Sequence, residues 1–350
     1  MPRERLIAAE EQTADRPAEP AAAIPSLRPQ RLDEVIGQEG LIERLRIALQ
    51  AARARSEPIE HVLLSGPPGL GKTTLAHVIA NELSSRIQLT SGPALSKTRD
   101  LMSFLMSLQP ADVLFIDEIH RLPIAVEEYL YPAMEDFRVD FTTEQGLGSR
   151  TVNFQLARFT LIGATTRRGL LTGPLRDRFG LQFEFDFYQQ PALEQILERS
   201  ARLLGCSVQP NCLGAIAARS RGTPRIANRL LRRVRDYAAV RKAPAISESI
   251  IDEALGIEEI DALGLDPLDR RFLTALIDIY SGGPAGIEAI AASMGQDRDT
   301  LEDAVEPYLL QIGFIRRTPK GRQATHPAYQ HLGRPAPSQP PPTAPAAEEA

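Results

Sequence analysis

The sequence has few features that would suit a membrane, an oxidising compartment or a metal. It contains no tryptophan and two cysteines, Cys206 and Cys212, whose spacing matches no zinc-binding pattern. Two small buried thiols explain them, so disulfides are not expected. No apolar run approaches the roughly 18 residues of a membrane span. The N-terminus MPRERLIAAEEQTADRP lacks the apolar core of a secretory signal, and we therefore expect a cytoplasmic protein without membrane attachment.

An excess of positive charge is also missing. The 40 Lys and Arg residues are outnumbered by 45 Asp and Glu residues, which leaves a formal net charge of −5. That balance argues against a protein that coats nucleic acid through overall positive charge, so any DNA contact must come from a local basic patch. At 350 residues, with 43% hydrophobic and 24% charged residues, the chain is expected to form two or three globular units.

The two ends differ in composition from the rest of the chain. Residues 1–26 are rich in Ala, Glu and Pro, and residues 334–350 are richer still in Pro and Ala. Neither segment carries enough apolar side chains to offset the entropy lost on ordering, so both are predicted to be disordered tails. Between them we predict a large α/β domain at 27–187, a small all-helical domain at 188–260 and a third module at 261–333.

Short apolar runs alternate with helical patterns in the α/β domain. Residues 61–65, 112–116 and 159–163 are each bounded by Gly, Pro or polar residues, as strands buried on both faces usually are. Residues 41–52 and 73–83 have helical spacing. This alternation predicts a parallel sheet with helices on both faces.

A β-hairpin is predicted at residues 137–156. Apolar side chains occupy alternate positions on either side of the polar turn TEQGLGS. We expect this hairpin to project from the sheet.

The strand signals stop after residue 188. The segments ALEQILERSARLLG, CLGAIAARSRG and TPRIANRLLRRVRDYAAVRK are typical of helices. From Asp261, three further helical segments precede GFIRRTPKGRQAT, which reads as two short strands around a Pro-Lys-Gly turn. Three helices and a hairpin are the plan of a winged-helix module. Pro307, inside the last of these helices, is expected to kink it.

The segment GPPGLGKT matches G-x-x-x-x-G-K-[ST] directly after the first predicted strand. Gly69 and Gly71 let the backbone curl so that its N–H groups face phosphate oxygens, and the next helix adds its positive end. Lys72 is expected to reach the β- and γ-phosphates of ATP, and the Thr73 hydroxyl to ligate Mg²⁺. Thr74, the next residue, is also assigned to the nucleotide.

A pair of carboxylates follows the apolar run DVLFI. Carboxylates at the end of a buried strand are costly unless a metal and a water use them. Asp117 is therefore predicted to support Mg²⁺, and Glu118 to orient and activate the attacking water, which makes the chain an ATPase. Thr165 and Thr166 end the strand FTLIGATT and would lie beside Asp117 if the two strands are neighbours. We favour Thr166 as the residue that positions the water, although both hydroxyls could be strand-end caps.

Three arginines have positions that a bound anion could explain. Arg225 follows Thr223 and Pro224, an N-cap and first-turn pair, so this cation lies at the positive end of a helix. A phosphate explains that position better than a solvated arginine does. Arg176 and Arg178, in LRDRFG, either belong to a solvated face or reach toward an anion.

These motifs together resemble the RuvB family, the AAA+ motors that drive branch migration of Holliday junctions in bacteria. The resemblance rests on the P-loop and carboxylate pair, on GATTR at 163–167, PLRDRFG at 174–180 and GTPRIANRLLRRVRD at 222–236, and on the terminal RRTPKGR. It extends from residue 27 to about residue 332. It implies an AAA+ P-loop domain, a helical lid domain, a winged-helix domain and a homohexameric ring that translocates duplex DNA.

The resemblance also implies roles for individual residues. Arg178 matches the arginine finger that one subunit inserts into its neighbour's active site, Arg176 beside it contacts nucleotide, and Arg225 matches the second sensor. The other nucleotide contacts that the family implies are Leu27, Arg28, Glu135, Asp136, Phe137 and Tyr188. An arginine finger stabilises the charge on the transferred phosphoryl group, so a lone chain should bind ATP but hydrolyse it poorly.

The DNA contacts are predicted on the wing. Arg316, Arg317, Lys320 and Arg322 cluster there, and Arg298 lies near the start of the last helix. We assign Arg298, Arg317 and Arg322 to phosphate contacts, which suit a motor that must move over any sequence. A solvated hairpin tip is the alternative. The basic run at 229–242 is interpreted as a solvated or inter-subunit helix face.

The family also implies partners. A RuvA-like junction-binding protein would dock on the hairpin at 137–156, and a RuvC-like resolvase would join the same complex. Because the hairpin lacks the Pro-Pro expected before FTLIG, it could instead pack on its own domain. Two other functions stay open: an AAA+ clamp loader or replication initiator, which lacks this basic wing, and a nucleotide-switched transcription regulator whose winged helix reads an operator.

Overall fold

The computed structural model describes residues 27–55, 57–142 and 151–336. The predicted tail at 1–26, residues 337–350 of the predicted tail at 334–350, and the predicted hairpin turn lie outside the described residues. The first residue of the second tail, Arg334, is described and pairs with Asp278 at 2.9 Å.

A parallel sheet of five strands forms the centre of the first part of the chain, in the order β2-β3-β6-β1-β7. The strands are β1 (Val62–Ser65), β2 (Ile87–Ser91), β3 (Val113–Asp117), β4 (Arg138–Thr142), β5 (Thr151–Gln155), β6 (Thr160–Thr165), β7 (Leu181–Glu184), β8 (Ile315–Thr318) and β9 (Gly321–Ala324). The predicted parallel sheet is therefore confirmed. Its outer strands β2 and β7 were not predicted from the sequence.

Helices cover both faces of this sheet and form the rest of the molecule. They are α1 (Glu39–Arg55), α2 (Lys72–Glu82), α3 (Thr98–Ser107), α4 (Ile124–Glu135), α5 (Gly173–Asp177), α6 (Gln190–Leu203), α7 (Leu213–Ala218), α8 (Pro224–Val240), α9 (Glu248–Ile257), α10 (Pro267–Thr274), α11 (Ile287–Met294), α12 (Arg298–Thr300), α13 (Glu306–Gln311) and α14 (His326–His331). In the described part of the chain, none is long and apolar enough to cross a membrane.

Two apolar cores lie on opposite faces of the sheet because successive strand residues point to opposite sides. Val62 and Leu64 of β1 belong to the core that α1 and α2 cover, whereas Leu63 belongs to the core that α3 and α4 cover. All three are almost completely buried. Burying each such side chain contributes roughly 1.5–3 kcal/mol, an upper estimate because unfolded chains already bury part of it.

The hairpin of β4 and β5 forms a separate antiparallel sheet, with Arg138 opposite Gln155. Its base is anchored on its own domain. Val139 is fully buried, and the Phe137 ring lies edge-on to Phe159 at a centroid distance of 5.8 Å. Phe154, in contrast, is 38% exposed. The hairpin therefore has both a packed base and an exposed apolar side chain.

The remaining helices form two smaller bodies with their own cores. Helices α6 to α9 surround one core, here called the helical unit, and α10 to α14 with β8 and β9 surround the other, here called the winged unit. The part of the chain around the parallel sheet is called the sheet unit. The helix expected to kink at Pro307 forms a π-helical segment at Leu301–Val305 before α13 begins at Glu306. Pro307 has no N–H to donate, so a regular α-helical ladder cannot pass through it.

Candidate functional site

The loop between β1 and α2 has the backbone conformation of a phosphate cradle. Gly66, Gly69 and Gly71 adopt φ values of +137°, +83° and +106°, a region that other residues rarely enter. The loop ends at Gly71, where α2 begins with N–H groups that have no partner inside the helix. Those groups and the helix dipole favour a negatively charged ligand.

Lys72 lies inside this loop and is 7% exposed. Its Nζ donates to the carbonyl oxygens of Gly66 at 2.7 Å and Pro67 at 2.8 Å. Burial lowers the pKa of Lys72 to about 8, although the carboxylate of Asp117 acts in the opposite direction. An anion beside Nζ would favour the charged form, so the lysine is well suited to a phosphate.

Asp117 ends β3, and Glu118 follows it in the left-handed region at φ +48°. Holding a non-glycine residue there costs on the order of 1 kcal/mol and is commonest at functional sites. The Glu118 carboxylate lies 3.1 Å from the Arg121 guanidinium, and Asp117 Oδ1 accepts from the Glu118 N–H at 2.9 Å. Both carboxylates therefore end at the edge of the sheet where the P-loop lies.

The two threonines at the end of β6 have different surroundings. Since β6 pairs with β3, both lie near Asp117, as the sequence suggested. Thr165 is fully buried; its Oγ1 lies 2.9 Å from His120 Nδ1 and accepts from the Arg167 N–H at 3.0 Å. Thr166 instead lines the same cavity as Asp117. Thr166 is thus the hydroxyl that can meet a ligand, while Thr165 supports the strand end.

These groups line one cavity of about 540 Å³, which we call the P-loop cavity. Its volume is within the range of ordinary small-molecule sites. The predicted residues that line it are Leu27, Arg28, Gly69, Gly71, Lys72, Thr73, Thr74, Asp117, Glu118, Thr166, Tyr188 and Arg225. The cavity also contains residues that were not predicted, among them Ile36, Phe185, Ile196, Arg199, Asn228 and Arg232.

The helical unit closes the cavity against the P-loop. Tyr188 donates its hydroxyl to the Leu70 carbonyl at 3.3 Å, and burial raises the pKa of this tyrosine to about 12. The Arg225 N–H donates to the Gly69 carbonyl at 3.3 Å. A Cβ added at Gly69 would lie 2.7 Å from Thr223 Cγ2, so the two units touch at the phosphate cradle itself.

The orientation of α8 changes the interpretation of the basic run at 229–242. Arg225, Asn228 and Arg232 are spaced three and four residues apart, so they share the helix face that lines the P-loop cavity. Arg232 belongs to the run that was interpreted as a solvated or inter-subunit face. The helical spacing from Arg225 is the signal that could have identified it.

Five predicted nucleotide residues do not line the P-loop cavity. They are Glu135, Asp136, Phe137, Arg176 and Arg178. The Arg178 guanidinium stacks over the Tyr131 ring at 4.2 Å and lies 3.2 Å from the Glu135 carboxylate. Arg178 therefore shares a surface with Glu135, apart from the cavity of its own chain.

The predicted DNA arginines are held by carboxylates. Arg317 and Arg322 both donate to Glu306, whose side chain is fully buried, over distances of 2.8–3.0 Å. Arg298 pairs with Glu288 at 2.9 Å and with Glu302 at 3.2 Å. The sequence predicted a basic wing, but not that its charges are balanced in this way.

Comparison with known families gives three matches in chain order. The family described as the Holliday junction DNA helicase RuvB P-loop domain matches residues 27–185. The RuvB AAA lid domain matches residues 188–261, and the RuvB C-terminal winged helix domain matches residues 262–333.

Individual proteins agree with these matches. The Holliday junction branch migration complex subunit RuvB of Myxococcus xanthus is 55% identical over 318 residues, which is 91% of this chain and 92% of that protein. The protein of the same name from Kosmotoga olearia is 56% identical over 308 residues, or 88% of this chain and 90% of the other. The solved structure of the Thermotoga maritima RuvB Holliday junction branch migration motor is 51% identical, with a TM-score of 0.83 over 89% of this chain and 99% of its own.

Proposed function

The chain belongs to the RuvB family, and from that premise we propose that it is an ATP-driven motor that drives branch migration of Holliday junctions. The observation that carries this function is the combination of a P-loop cavity with a winged unit that bears a cluster of arginines, of which Arg317 is 59% exposed. A clamp loader or an operator-reading regulator is disfavoured because the family match covers all three domains. We propose their boundaries at 27–187, 188–260 and 261–333.

We further propose the roles of the residues in the P-loop cavity. The positive-φ loop and the buried Lys72 amine fit the β- and γ-phosphates of ATP, with Thr74 beside them. Thr73 and Asp117 would hold Mg²⁺, which when bound neutralises charge on the phosphates. Glu118 orients and activates the attacking water.

The remaining cavity residues complete this assignment. Thr166 positions the attacking water. Arg225, which belongs to the helical unit, contacts the γ-phosphate. The adenosine end is contacted by Leu27, Arg28 and Tyr188. The apolar side chains of the cavity suit a base, while Arg199 ties the two sides together by donating to the Leu27 carbonyl at 2.8 Å.

The residues outside the cavity support an active site shared between subunits. We propose that Arg178, with Arg176, Glu135, Asp136 and Phe137, completes the P-loop cavity of the adjacent subunit in a homohexamer. A guanidinium supplied in this way increases the rate of phosphoryl transfer by roughly 10³ to 10⁵. The ion pair of Arg178 with Glu135 keeps it ordered on the subunit surface until the ring forms.

The partners follow from the family and from two surfaces. Arg298, Arg317 and Arg322 are proposed to contact phosphates of duplex DNA without reading bases. A RuvA-like protein is proposed to dock on the hairpin at 137–156, supported by the exposure of Phe154. A RuvC-like resolvase is proposed in the same complex. We propose a cytoplasmic location.

The test is ATP-dependent branch migration of a synthetic four-way junction in the presence of a RuvA-like partner. Wild type is expected to migrate the junction, whereas Lys72→Ala and Arg178→Ala are each expected to fail. Arg168→Ala is the matched control, because Arg168 is exposed and pairs with Glu184 at 3.5 Å in its own unit.

Mixed rings test the shared site. An Arg178→Ala subunit keeps its own cavity intact, and a Lys72→Ala subunit can still supply Arg178. Mixing the two variants should therefore restore part of the ATPase activity. If the mixture is as inactive as either variant alone, the proposed arginine finger is wrong.

A further inference from the structure

The three units contact one another pairwise, so they form a closed triangle. The first contact is the P-loop cavity between the sheet unit and the helical unit. The second joins the helical unit to the winged unit through Arg221, and the third joins the winged unit back to the sheet unit through Arg167. In a closed triangle, one contact cannot change its angle unless another one yields.

The contact through Arg221 is buried. This guanidinium, 7% exposed, lies 2.9 Å from Asp266 and 2.6 Å from Asp269, and its Nε donates to the Gly264 carbonyl at 2.7 Å. It also lies 5.4 Å from the centre of the Tyr308 ring. Breaking such a contact would leave charges buried without partners, which makes it rigid.

The contact through Arg167 reaches solvent. Its guanidinium donates to Asp303 at 2.9 and 3.0 Å and to Asp299 at 3.2 Å. Asp303 is 40% exposed and Asp299 is 66% exposed. Arg167 itself is 28% exposed against 7% for Arg221, so water can replace Asp299 and Asp303 more readily than the partners of Arg221. This is therefore the contact expected to yield when the P-loop cavity opens or closes.

Arg167 is attached to the nucleotide side of this contact by its backbone. It directly follows Thr166, which lines the P-loop cavity. Its N–H donates to Thr165 Oγ1, which is in turn in contact with His120, two residues after Glu118. A movement of the β6 end toward or away from a phosphate is thus transmitted to Arg167.

Glu302 links Arg167 to the proposed DNA contacts. One of its oxygens lies 3.4 Å from Arg167, and the other lies 3.2 Å from both Arg322 and Arg298. The Glu302 side chain is 14% exposed, so water competes weakly for it. Arg167 therefore shares one carboxylate with Arg322 and Arg298, which are proposed to contact DNA, and a change at either side affects the other.

We propose that Arg167 is a positioning residue that couples the P-loop cavity to the arginines of the same chain that are proposed to contact DNA. Because the helical and winged units move together about Arg221, closure of the cavity changes the ion pairs of Arg167 with Asp299 and Asp303. That change shifts the ion pairs of the Glu302 carboxylate between Arg167 on one side and Arg322 and Arg298 on the other. The inference rests on the proposed function, and it assigns the path by which ATP and DNA influence each other.

The experiment measures the full chain as Arg167→Ala beside wild type, with Arg168→Ala as the matched control. Nucleotide affinity is measured with a fluorescent ADP analogue, and ATP hydrolysis is measured at saturating ATP with and without linear duplex DNA. For Arg167→Ala we expect the stimulation by DNA to fall about 5-fold or more, the size of an ordinary coupling between two sites. Nucleotide affinity is expected to change by less than about 2-fold, because Arg167 does not line the P-loop cavity.

A conservative variant separates coupling from misfolding. Arg167→Lys keeps a cation among Asp299, Glu302 and Asp303, and it is expected to retain much of the DNA stimulation that Arg167→Ala loses. If wild type is stimulated by DNA and Arg167→Ala is stimulated equally, the proposed coupling is wrong. The same holds if Arg167→Lys is stimulated no more than Arg167→Ala. If wild type shows neither DNA stimulation nor branch migration, the proposed function itself fails.

Discussion

Replacing Arg221 by methionine tests whether the helical and winged units are joined rigidly. Methionine preserves most of the side-chain volume, and the backbone at Arg221, with φ +53°, is no more strained by one unbranched residue than by another. What is lost is the charge between Asp266 and Asp269 and the hydrogen bond to the Gly264 carbonyl.

The magnitude follows from the burial of these groups. Removing one partner of a buried ion pair costs about 3–5 kcal/mol, because the other charge stays buried without compensation. Burial already raises the pKa of Asp269 to about 7, and loss of Arg221 would raise it further. Below that higher pKa, Asp269 takes up a proton in the variant and part of the cost disappears. We therefore expect a loss of at most about 3–5 kcal/mol at pH 8 and a smaller loss at pH 6.

Urea unfolding followed by circular dichroism measures this loss, and limited proteolysis reports whether the winged unit separates first. Arg233→Met is the control, since Arg233, 58% exposed, pairs with Glu258, 43% exposed, and such exposed pairs contribute about 0–1 kcal/mol. Asp269→Asn added to Arg221→Met should recover stability by removing the uncompensated charge. A loss below about 1 kcal/mol for Arg221→Met at pH 8 would refute the rigid joint.

Three further changes test other parts of the structure. Gly69→Ala should weaken binding of a fluorescent ADP analogue on the order of 10-fold or more, because φ is +83° and the added Cβ would collide with Thr223; unchanged affinity would contradict the described cradle. Burial lowers the pKa of His61 below its usual 6.5, so the folded state binds fewer protons than the unfolded state. The contribution of neutral His61 to folding stability is therefore complete above about pH 6.5, and it is lost as the pH falls through the lower folded-state pKa. The melting temperature of wild type should fall over this pH range, and the melting temperature of His61→Gln should lack this part of the fall. Glu306→Gln removes the carboxylate that balances two wing arginines, so DNA affinity measured by fluorescence anisotropy should rise and its salt dependence should steepen by about one unit; equal affinity would mean that Glu306 does not restrain them.

Burial decides which strands could be predicted from the sequence. The central strands β1, β3 and β6 are enclosed on both faces, so they appear as short apolar runs and were predicted within about two residues. The outer strands β2 and β7 carry polar and apolar residues in mixed order, with Leu89 of β2 49% exposed. Their pairing with neighbours defines them, and pairing across the sheet leaves no local signal.

The candidate site divides in a similar way. The P-loop and the carboxylate pair are continuous motifs whose spacing carries the chemistry, so Lys72 and Asp117 could be predicted from the residues alone. Arg199, Asn228 and Arg232 reach the P-loop cavity only because the helical unit packs on the sheet unit. Such residues depend on how two units meet, which no single stretch of sequence records.

The balance of charge on the wing was also beyond the sequence pattern. Arg317 and Arg322 were identified as a basic cluster, but Glu306 lies more than ten residues earlier, beside Pro307. Burial alone would raise the pKa of Glu306. Both guanidinium groups donate hydrogen bonds to its carboxylate, and these bonds lower the pKa below its ordinary value. The sequence shows only how many basic residues lie close together along the chain. The electrostatic attraction for a DNA phosphate also depends on carboxylates that are near in space, such as Glu306.

The difference between the two arginine contacts explains how this chain can respond to nucleotide as a motor rather than as three loosely linked units. If both contacts were exposed, either one could break when the P-loop cavity closes. The direction in which the winged unit moves would then not be determined. If both were buried like Arg221, the cavity could not close without a penalty of several kcal/mol for each stranded charge. With one buried contact and one more accessible contact, the motion of lowest cost is expected to be the one in which the helical and winged units turn together and Arg167 exchanges its partners. In the proposed coupling, this exchange occurs beside Thr166, which lines the P-loop cavity, and involves the carboxylate shared with Arg322, one of the arginines proposed to contact DNA.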